Sequence, residues 1–280
     1  HYATVKENNV FDRKKVNVVN CWDHEIEIKM GKETKEGGSA AWMALKKATA
    51  DLNEGVIDAV VTGPINKSNI QSEEFSFPGH TEFFMHATGA KSNLMLMVSD
   101  AMRVGVVTGH VPLKEVAASI TKDKVEQALN VMKKALKADF AVDKPKIAVL
   151  GLNPHAGENG LLGSEEKDII EPVALDQRKR GELVFGPFSA DGFFGSGEFA
   201  KYDGILAMYH DQGLIPFKSL SFGNGVNYTA GLPVIRTSPD HGTGYDIAGK
   251  NLASANSLRN AIFLASEIAK NRRESLVTTD

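Results

Sequence analysis

Ile205-Leu-Ala-Met-Tyr-His210 is a short apolar run that ends in a histidine. Two runs of the same form precede it, Val104-Gly-Val-Val-Thr-Gly-His110 and Ile147-Ala-Val-Leu-Gly-Leu-Asn-Pro-His155. Such runs, bounded by turn residues, read as strands buried on both faces, the kind found in parallel sheets. Parallel strands in α/β proteins deliver the residues at their carboxyl ends to one crevice, so three imidazoles far apart in sequence are expected to meet there. A single histidine after a strand is ordinarily a hydrogen-bonded loop residue. Three in the same position predict a metal site, because imidazole nitrogen is a common ligand of divalent ions.

Outward from these runs the chain alternates between strand and helix signals. Ala41, Leu45, Ala48 and Leu52 recur at helical spacing within 37–54, and Gly55 follows as a stop. Residues 57–62 read as a short buried strand ended by Gly63-Pro64. The runs 94–98 and 103–108 flank Ser99-Asp100 at a spacing suited to an antiparallel pair. Thr121 is a candidate N-cap for a helix over 121–138, and Ser164-Glu-Glu opens another that ends at Arg178-Lys179-Arg180. Strands at 226–229 and 234–237 and a closing helix through Leu258, Ile262, Ala265 and Ile268 complete the pattern. The expectation is α/β architecture: a mostly parallel sheet with helices on both faces and a smaller mixed or antiparallel subdomain. We expect one catalytic unit over 1–280, made of two intertwined α/β subdomains, with the excursion spanning roughly 60–140.

Composition narrows the function classes. The 280 residues are 42% hydrophobic and 24% charged with a net charge of −3, which suits a folded chain and gives no general attraction to nucleic acid or anionic membranes. Cys21 is the only cysteine, which excludes an intrachain disulfide and a thiolate cluster. With neither a membrane-length apolar stretch nor a signal-like opening, a soluble cytoplasmic protein is expected, its partners small molecules or other subunits.

Three histidines leave coordination positions open, the condition of a catalytic rather than a structural site. Zinc and cobalt suit nitrogen ligands, and nearby oxygens extend the choice to manganese or magnesium. Asp211 beside His210 and Asp191 in Ser189-Ala-Asp-Gly192 offer carboxylates for acid/base or supporting roles. Helix capping is the bland alternative for both. Phe77-Pro-Gly-His-Thr-Glu82 places His80 and Thr81 at the start of a helix expected over 82–88, where unpaired N–H groups favour an anion, although Thr81 also reads as the N-cap. Lys67, Lys218 and Arg236 lie in loops or at strand ends where an oxyanion is clamped. Gly195-Ser-Gly197-Glu-Phe-Ala200 has the spacing of a dinucleotide fingerprint but lacks the strand that must precede it, so it is rejected. The glycine-rich segment 240–251 is the better ligand loop.

With these residues assembled, the chain resembles the 4-hydroxythreonine-4-phosphate dehydrogenase family of vitamin B6 biosynthesis, from about Gly37 to the closing helix. The blocks that carry the resemblance are 77–82, Thr108-Gly-His-Val-Pro112, Leu152-Asn-Pro-His-Ala-Gly157, Tyr209-His-Asp-Gln-Gly213 and Arg236-Thr-Ser-Pro-Asp-His-Gly242. The family is similar in fold to the isocitrate and isopropylmalate dehydrogenases, which bind NAD(P) without the usual glycine fingerprint. The resemblance implies that His110, His155 and His210 hold the metal in a site shared across a homodimer interface. It implies substrate contacts from His80, Thr81, Lys218, Asn227 and Arg236, and cofactor contacts from His241, Gly242, Asp246 and Asn251. Asp191, Asp211 and Lys67 remain the candidates for moving a proton. The implied reaction is NAD(P)- and metal-dependent oxidation of 4-phosphohydroxy-L-threonine to the 3-keto acid, which loses carbon dioxide to give 3-amino-2-oxopropyl phosphate. A related sugar-acid phosphate such as D-threonate 4-phosphate is the alternative substrate. A metal-dependent phosphoester hydrolase and a noncatalytic metal staple between subunits are the rival classes. Gly109 and Gly192 stand where relatives often carry threonine, changes expected to bear on substrate choice. The sequence opens on His1 without the family's initial strand and Gly-Asp-Pro-Ala-Gly-Ile-Gly-Pro-Glu loop. Either the natural start lies upstream or that edge of the site is altered.

Overall fold

The computed structural model describes residues 1–5 and 10–277, the side chains of 276 and 277 excepted. The chain forms two compact units. The first comprises His1–Ile57, Ile65–Phe83 and Gly242–Ala253; the second comprises Asp58–Pro64, Phe84–His241 and Ser254 onward.

In the first unit β1 (Tyr2–Val5) pairs in parallel with β2 (Val16–Val19). Helix α1 (Lys35–Asn53) starts where the Thr34 hydroxyl accepts the Gly37 N–H at 3.1 Å, satisfying one of the donors a helix start leaves open. Leu45 and Leu52 are buried on this helix, as the spacing predicts. Trp42 packs on Phe75 and Phe83, with ring centroids 5.4 Å away in each case. Gly38 lies so close to the Asn69 carbonyl that any Cβ there would collide with it.

The second unit is built on an eight-stranded sheet among the described residues. Its strands are β3 (Val60–Val61), β4 (Leu94–Val98), β5 (Arg103–Thr108), β6 (Ile147–Leu150), β7 (Val184–Phe188), β8 (Gly204–Tyr209), β9 (Val226–Ala230) and β10 (Arg236–Pro239). The spatial order is β3-β10-β9-β4-β5-β8-β6-β7. The β5–β8, β8–β6, β6–β7 and β10–β3 pairs are parallel, and β4 pairs antiparallel with both β5 and β9. The expected antiparallel pair is therefore part of the main sheet.

Period-2 alternation on the central strands serves two helical layers. Leu206 and Met208 of β8 join the cluster of Val125, Leu129, Met132 and Leu136 from α4 (Lys122–Ala138) and Ile268 from α8 (Asn256–Val277). Ile205 and Ala207 join Phe193 of α6 (Ala190–Gly195) and Leu214 and Phe217 of α7 (His210–Ser221). Each large apolar side chain so buried contributes about 1.5–3 kcal/mol relative to exposure. Helix α3 (Leu113–Ser119) precedes α4, which Thr121 caps by accepting the Lys124 N–H, as predicted.

Element boundaries depart from the sequence reading in four places. The strand expected over 57–62 is only β3, because β10 pairs with it through Arg236 and Thr237 alone. The strand expected at 234–237 runs instead over 236–239, since its register with β9 begins at Thr237. Helix α2 (His80–Thr88) starts before Glu82, with the Gly79 carbonyl accepting the Phe83 N–H, so Thr81 lies inside the first turn and is not the cap. The helix expected from Ser164 is a π-helical turn over Glu166–Ile170 leading into α5 (Glu171–Lys179). Pro172, which has no N–H to give, sits at the junction. No helix among the described residues is long and apolar enough to cross a membrane.

Candidate active site

Strand β5 runs parallel to β8 with Thr108 opposite Tyr209, so the residues just past their carboxyl ends emerge together. The His110 and His210 rings lie 5.5 Å apart, centroid to centroid, at an interplanar angle of 43°. Both line a cavity of about 310 Å³ with Tyr209 and Asp211. His210 opens α7, and its Nδ1 is 2.7 Å from Asp211 Oδ1, which turns Nε2 into the available ring nitrogen. The capping alternative for Asp211 does not describe this contact: its carboxylate turns back to the preceding imidazole.

Gln212 ties the strand ends together. Its Oε1 accepts the Met208 N–H at 2.7 Å, and its Nε2 donates to the Gly151 carbonyl at 2.6 Å, linking the end of β8 to the residue after β6. Helix α7 lies directly on the sheet at Gly213, where an added Cβ would come within 2.9 Å of Val104 Cγ1 and 3.1 Å of the Ala207 Cβ.

His155 is presented differently. Residues 155–159 all have positive φ, and His155, Ala156, Glu158 and Asn159 are not glycine. They form a left-handed turn, a conformation that costs roughly 1–2 kcal/mol per non-glycine residue. Just ahead of it, the Glu166 carboxylate accepts the Asn153 backbone N–H at 2.6 Å and the Asn153 amide at 3.0 Å. Asp191, in the first turn of α6, accepts the Ser189 hydroxyl. That hydrogen bond, the Gly192 N–H and the nearby His155 hold its carboxyl below the usual carboxylate range, so it is an anion beside His155. Within one chain no three His, Cys, Asp or Glu side chains among the described residues form a metal-holding group.

The basic candidates fall into separate settings. In the first unit, Lys67 Nζ lies 3.9 Å from where a Gly79 Cβ would stand, at the start of the helix that carries His80 and Thr81. In the second, Arg236 is 4% exposed, and its guanidinium donates from Nε and Nη2 to Thr62 Oγ1 at 3.1 and 2.8 Å and from Nη1 to Thr229 Oγ1 at 3.2 Å. Asn227, two residues before Thr229 on the same face of β9, has a buried Oδ1 without a hydrogen-bond partner among the described residues. Lys218 is ion-paired with Asp240 at 3.1 Å.

Gly195 ends helix α6, so a helix and not a strand leads into the segment 195–200. The loop after β10 ends the second unit at His241 and continues in the first unit from Gly242. There it makes a 3₁₀ turn over Tyr245–Ile247 and left-handed bends at Gly244, Gly249 and Asn251. Asp246 and Asn251 are exposed on it.

Comparison with known proteins decides the family. A family model described as pyridoxal phosphate biosynthetic protein PdxA matches residues 1–265. The chain belongs to the PdxA family. The 4-hydroxythreonine-4-phosphate dehydrogenase of Bacteroides thetaiotaomicron is 52% identical over 260 residues, covering 92% of this chain and 71% of the relative. The enzyme of that name from Sulfurihydrogenibium is 42% identical over 93% of this chain and 80% of its own length. The crystal structure of 4-hydroxythreonine-4-phosphate dehydrogenase from Klebsiella pneumoniae superposes with a TM-score of 0.82 at 36% identity, covering 96% of this chain and 82% of that one.

Within this PdxA chain the structure brings His110, His210 and Asp211 together and sets His155 beside Asp191. The sequence reading missed Gln212 and Glu166. Gln212 stands inside the block 209–213 and was within reach of a reading that asked what fixes the histidine's backbone. Glu166 looked like part of an acidic first turn, and only the left-handed path of 155–159 shows what it holds.

Proposed function

We propose that this PdxA chain is a 4-hydroxythreonine-4-phosphate dehydrogenase that oxidises 4-phosphohydroxy-L-threonine with NAD(P). The keto acid so formed loses carbon dioxide to give 3-amino-2-oxopropyl phosphate in pyridoxine biosynthesis. The observation that carries the reading is the His110–His210 pair, found at the expected strand ends of a chain 52% identical to a relative of that name.

The donor set fits a divalent cation. Two imidazoles with ring centroids 5.5 Å apart beside a carboxylate are the nitrogen and oxygen donors such an ion takes. His110 and His210 would hold the ion from one chain, and His155 would complete the set from a second copy across a homodimer interface. Such an ion, zinc, cobalt, manganese or magnesium, would supply a positive charge beside the substrate hydroxyl. Asp211 orients His210. Asp191 and Lys67 would be the proton carriers, one of them taking the proton of the substrate hydroxyl; a bound nicotinamide would supply the hydride acceptor for the same carbon.

For the substrate, His80 and Thr81 present a helix start suited to phosphate, and Arg236 and Lys218 supply positive charge. The unpartnered Asn227 Oδ1 is an acceptor for a hydroxyl or amino group. For the cofactor, the exposed hydrogen-bonding residues of the loop from His241 and Gly242 through Asp246 to Asn251 suit the adenosine side of NAD(P). A cytoplasmic setting fits this chemistry.

The test follows nicotinamide reduction by purified protein with each divalent ion, NAD or NADP, and either 4-phosphohydroxy-L-threonine or D-threonate 4-phosphate. Metal-dependent NAD(P)H formation with the first substrate is expected. Preference for the second would move the assignment to a sugar-acid phosphate, and phosphate release without reduction would make the chain a hydrolase.

A further inference from the structure

We propose that Glu166 is a positioning residue for His155: its carboxylate is the brace that keeps residues 155–159 in their left-handed turn and so fixes where that imidazole points. The inference rests on His155 being a metal ligand in the proposed reaction. The geometry behind it does not.

A single left-handed residue is common at a helix end, but five in succession, four of them not glycine, persist only where surrounding contacts over-determine the backbone. Beyond the turn's own backbone hydrogen bonds, from the Ala156 N–H to the Asn153 carbonyl and from the Leu162 N–H to the Gly157 carbonyl, the side-chain contacts at its start converge on Glu166. Glu166 is 4% exposed, and its Oε1 and Oε2 receive the Asn153 main-chain and side-chain N–H groups just before the turn. Glu165 Oε2 accepts from the same Asn153 amide at 2.7 Å, so this side chain is held from two sides. Inside the turn, a Cβ on Gly157 would stand 2.6 Å from Glu166 Oε2, and one on Gly151 would stand 3.1 Å from Oε1. The carboxylate thus fills the hollow that the chain makes between the end of β6 and the turn, and glycines at both walls let the backbone close on it. Glu166 also begins the π-helical turn, an irregularity that recurs at functional sites.

Two carboxylate oxygens serving two N–H donors give a demanding test. Glu166→Gln keeps size and shape but turns an NH₂ toward one of the Asn153 donors, so one hydrogen bond must break. Asn153→Ala removes the side-chain link alone, leaves the carboxylate in place and serves as the second variant should Glu166→Gln fail to fold. Full-length protein of each kind, checked for native helix content by circular dichroism, is titrated calorimetrically with Zn²⁺ and Co²⁺, and amide hydrogen exchange is followed across 155–159.

The expected result is about 10–100-fold weaker metal binding, the usual effect of losing a group that orients a ligand, together with faster exchange confined to the turn. Lowered thermal stability with metal affinity and exchange unchanged would overturn the proposal, leaving Glu166 a purely structural residue. His155→Ala is the control on the underlying reading. If that variant binds metal like the parent, His155 is not a ligand and the assignment of the metal site falls, while exchange in Glu166→Gln still decides whether the carboxylate holds the turn.

Discussion

His210 faces two ways: toward the cavity it shares with His110 and toward the Asp211 carboxylate on its Nδ1. The second contact makes the first useful, because an anion on one ring nitrogen fixes the tautomer and strengthens the other as a ligand. Asp211→Asn retains an acceptor but removes the charge. Because the Asp211 side chain is 69% exposed, its replacement should leave the fold alone. Metal affinity should fall by about 10-fold or more, measured by titrating the folded variant with Co²⁺. Equal affinity in parent and variant would show that Asp211 has no part in orienting the ring. The pairing of His110 with His210 was legible in the sequence because strand ends and parallel topology follow from local apolar runs. The geometry of His155 was not, since the handedness of its turn depends on a carboxylate that reads locally as an ordinary helix opening.

Helix α7 carries His210 and Asp211 on its first turn, so its seat on the sheet sets their distance from β5. That seat is Gly213. Alanine there has two opposed effects: better helix propensity, worth about 1 kcal/mol, and overpacking against Val104 and Ala207, which costs about 1–3 kcal/mol. A Cβ 2.9 Å from a fully buried valine leaves little room to relax, so overpacking wins. Gly213→Ala should lose up to about 2 kcal/mol in urea denaturation and bind metal less tightly as the first turn lifts. A net gain in stability would show that the helix does not rest on this contact. At this scale, elements with a cap and a clean period, such as α1 and α4, could be read within a few residues. Elements whose limits are set by a neighbour could not: β3 and β10 end where their partners do, and the π-helical turn at 166–170 answers to the loop it braces.

Over the whole molecule, the alternation of strand and helix signals was enough to read an α/β sheet covered on both faces. Long-range polar ties were invisible to it. One such tie joins three elements of the second unit: Tyr228 of β9 donates to Asp139 Oδ2 at 2.5 Å, and Arg272 of α8 donates from Nε to Asp139 Oδ1 at 2.6 Å, over separations of 89 and 133 positions. Asp139 follows α4 directly and is 3% exposed, so the Arg272 guanidinium balances its charge and the Tyr228 hydroxyl adds a hydrogen bond where water has little access. Burial, and then the Asp139 charge, push the Tyr228 hydroxyl well above the usual tyrosine range, an effect Arg272 only partly offsets. A hydroxyl whose folded pKa is raised holds its proton more tightly folded than unfolded. Its contribution is therefore complete below the unfolded value of about 10 and is lost as pH rises beyond it. Tyr228→Phe should cost about 1–3 kcal/mol near neutrality, because Asp139 loses a donor in a buried setting. The difference between parent and variant should then shrink above about pH 10 by up to about 1.4 kcal/mol per pH unit, the limit for one proton. Urea denaturation of both proteins over that range tests the claim, since every other titrating group is common to the pair. A difference that stays constant with pH would mean that Tyr228 ionises alike in both states and that the three-way tie is not what joins α4, β9 and α8.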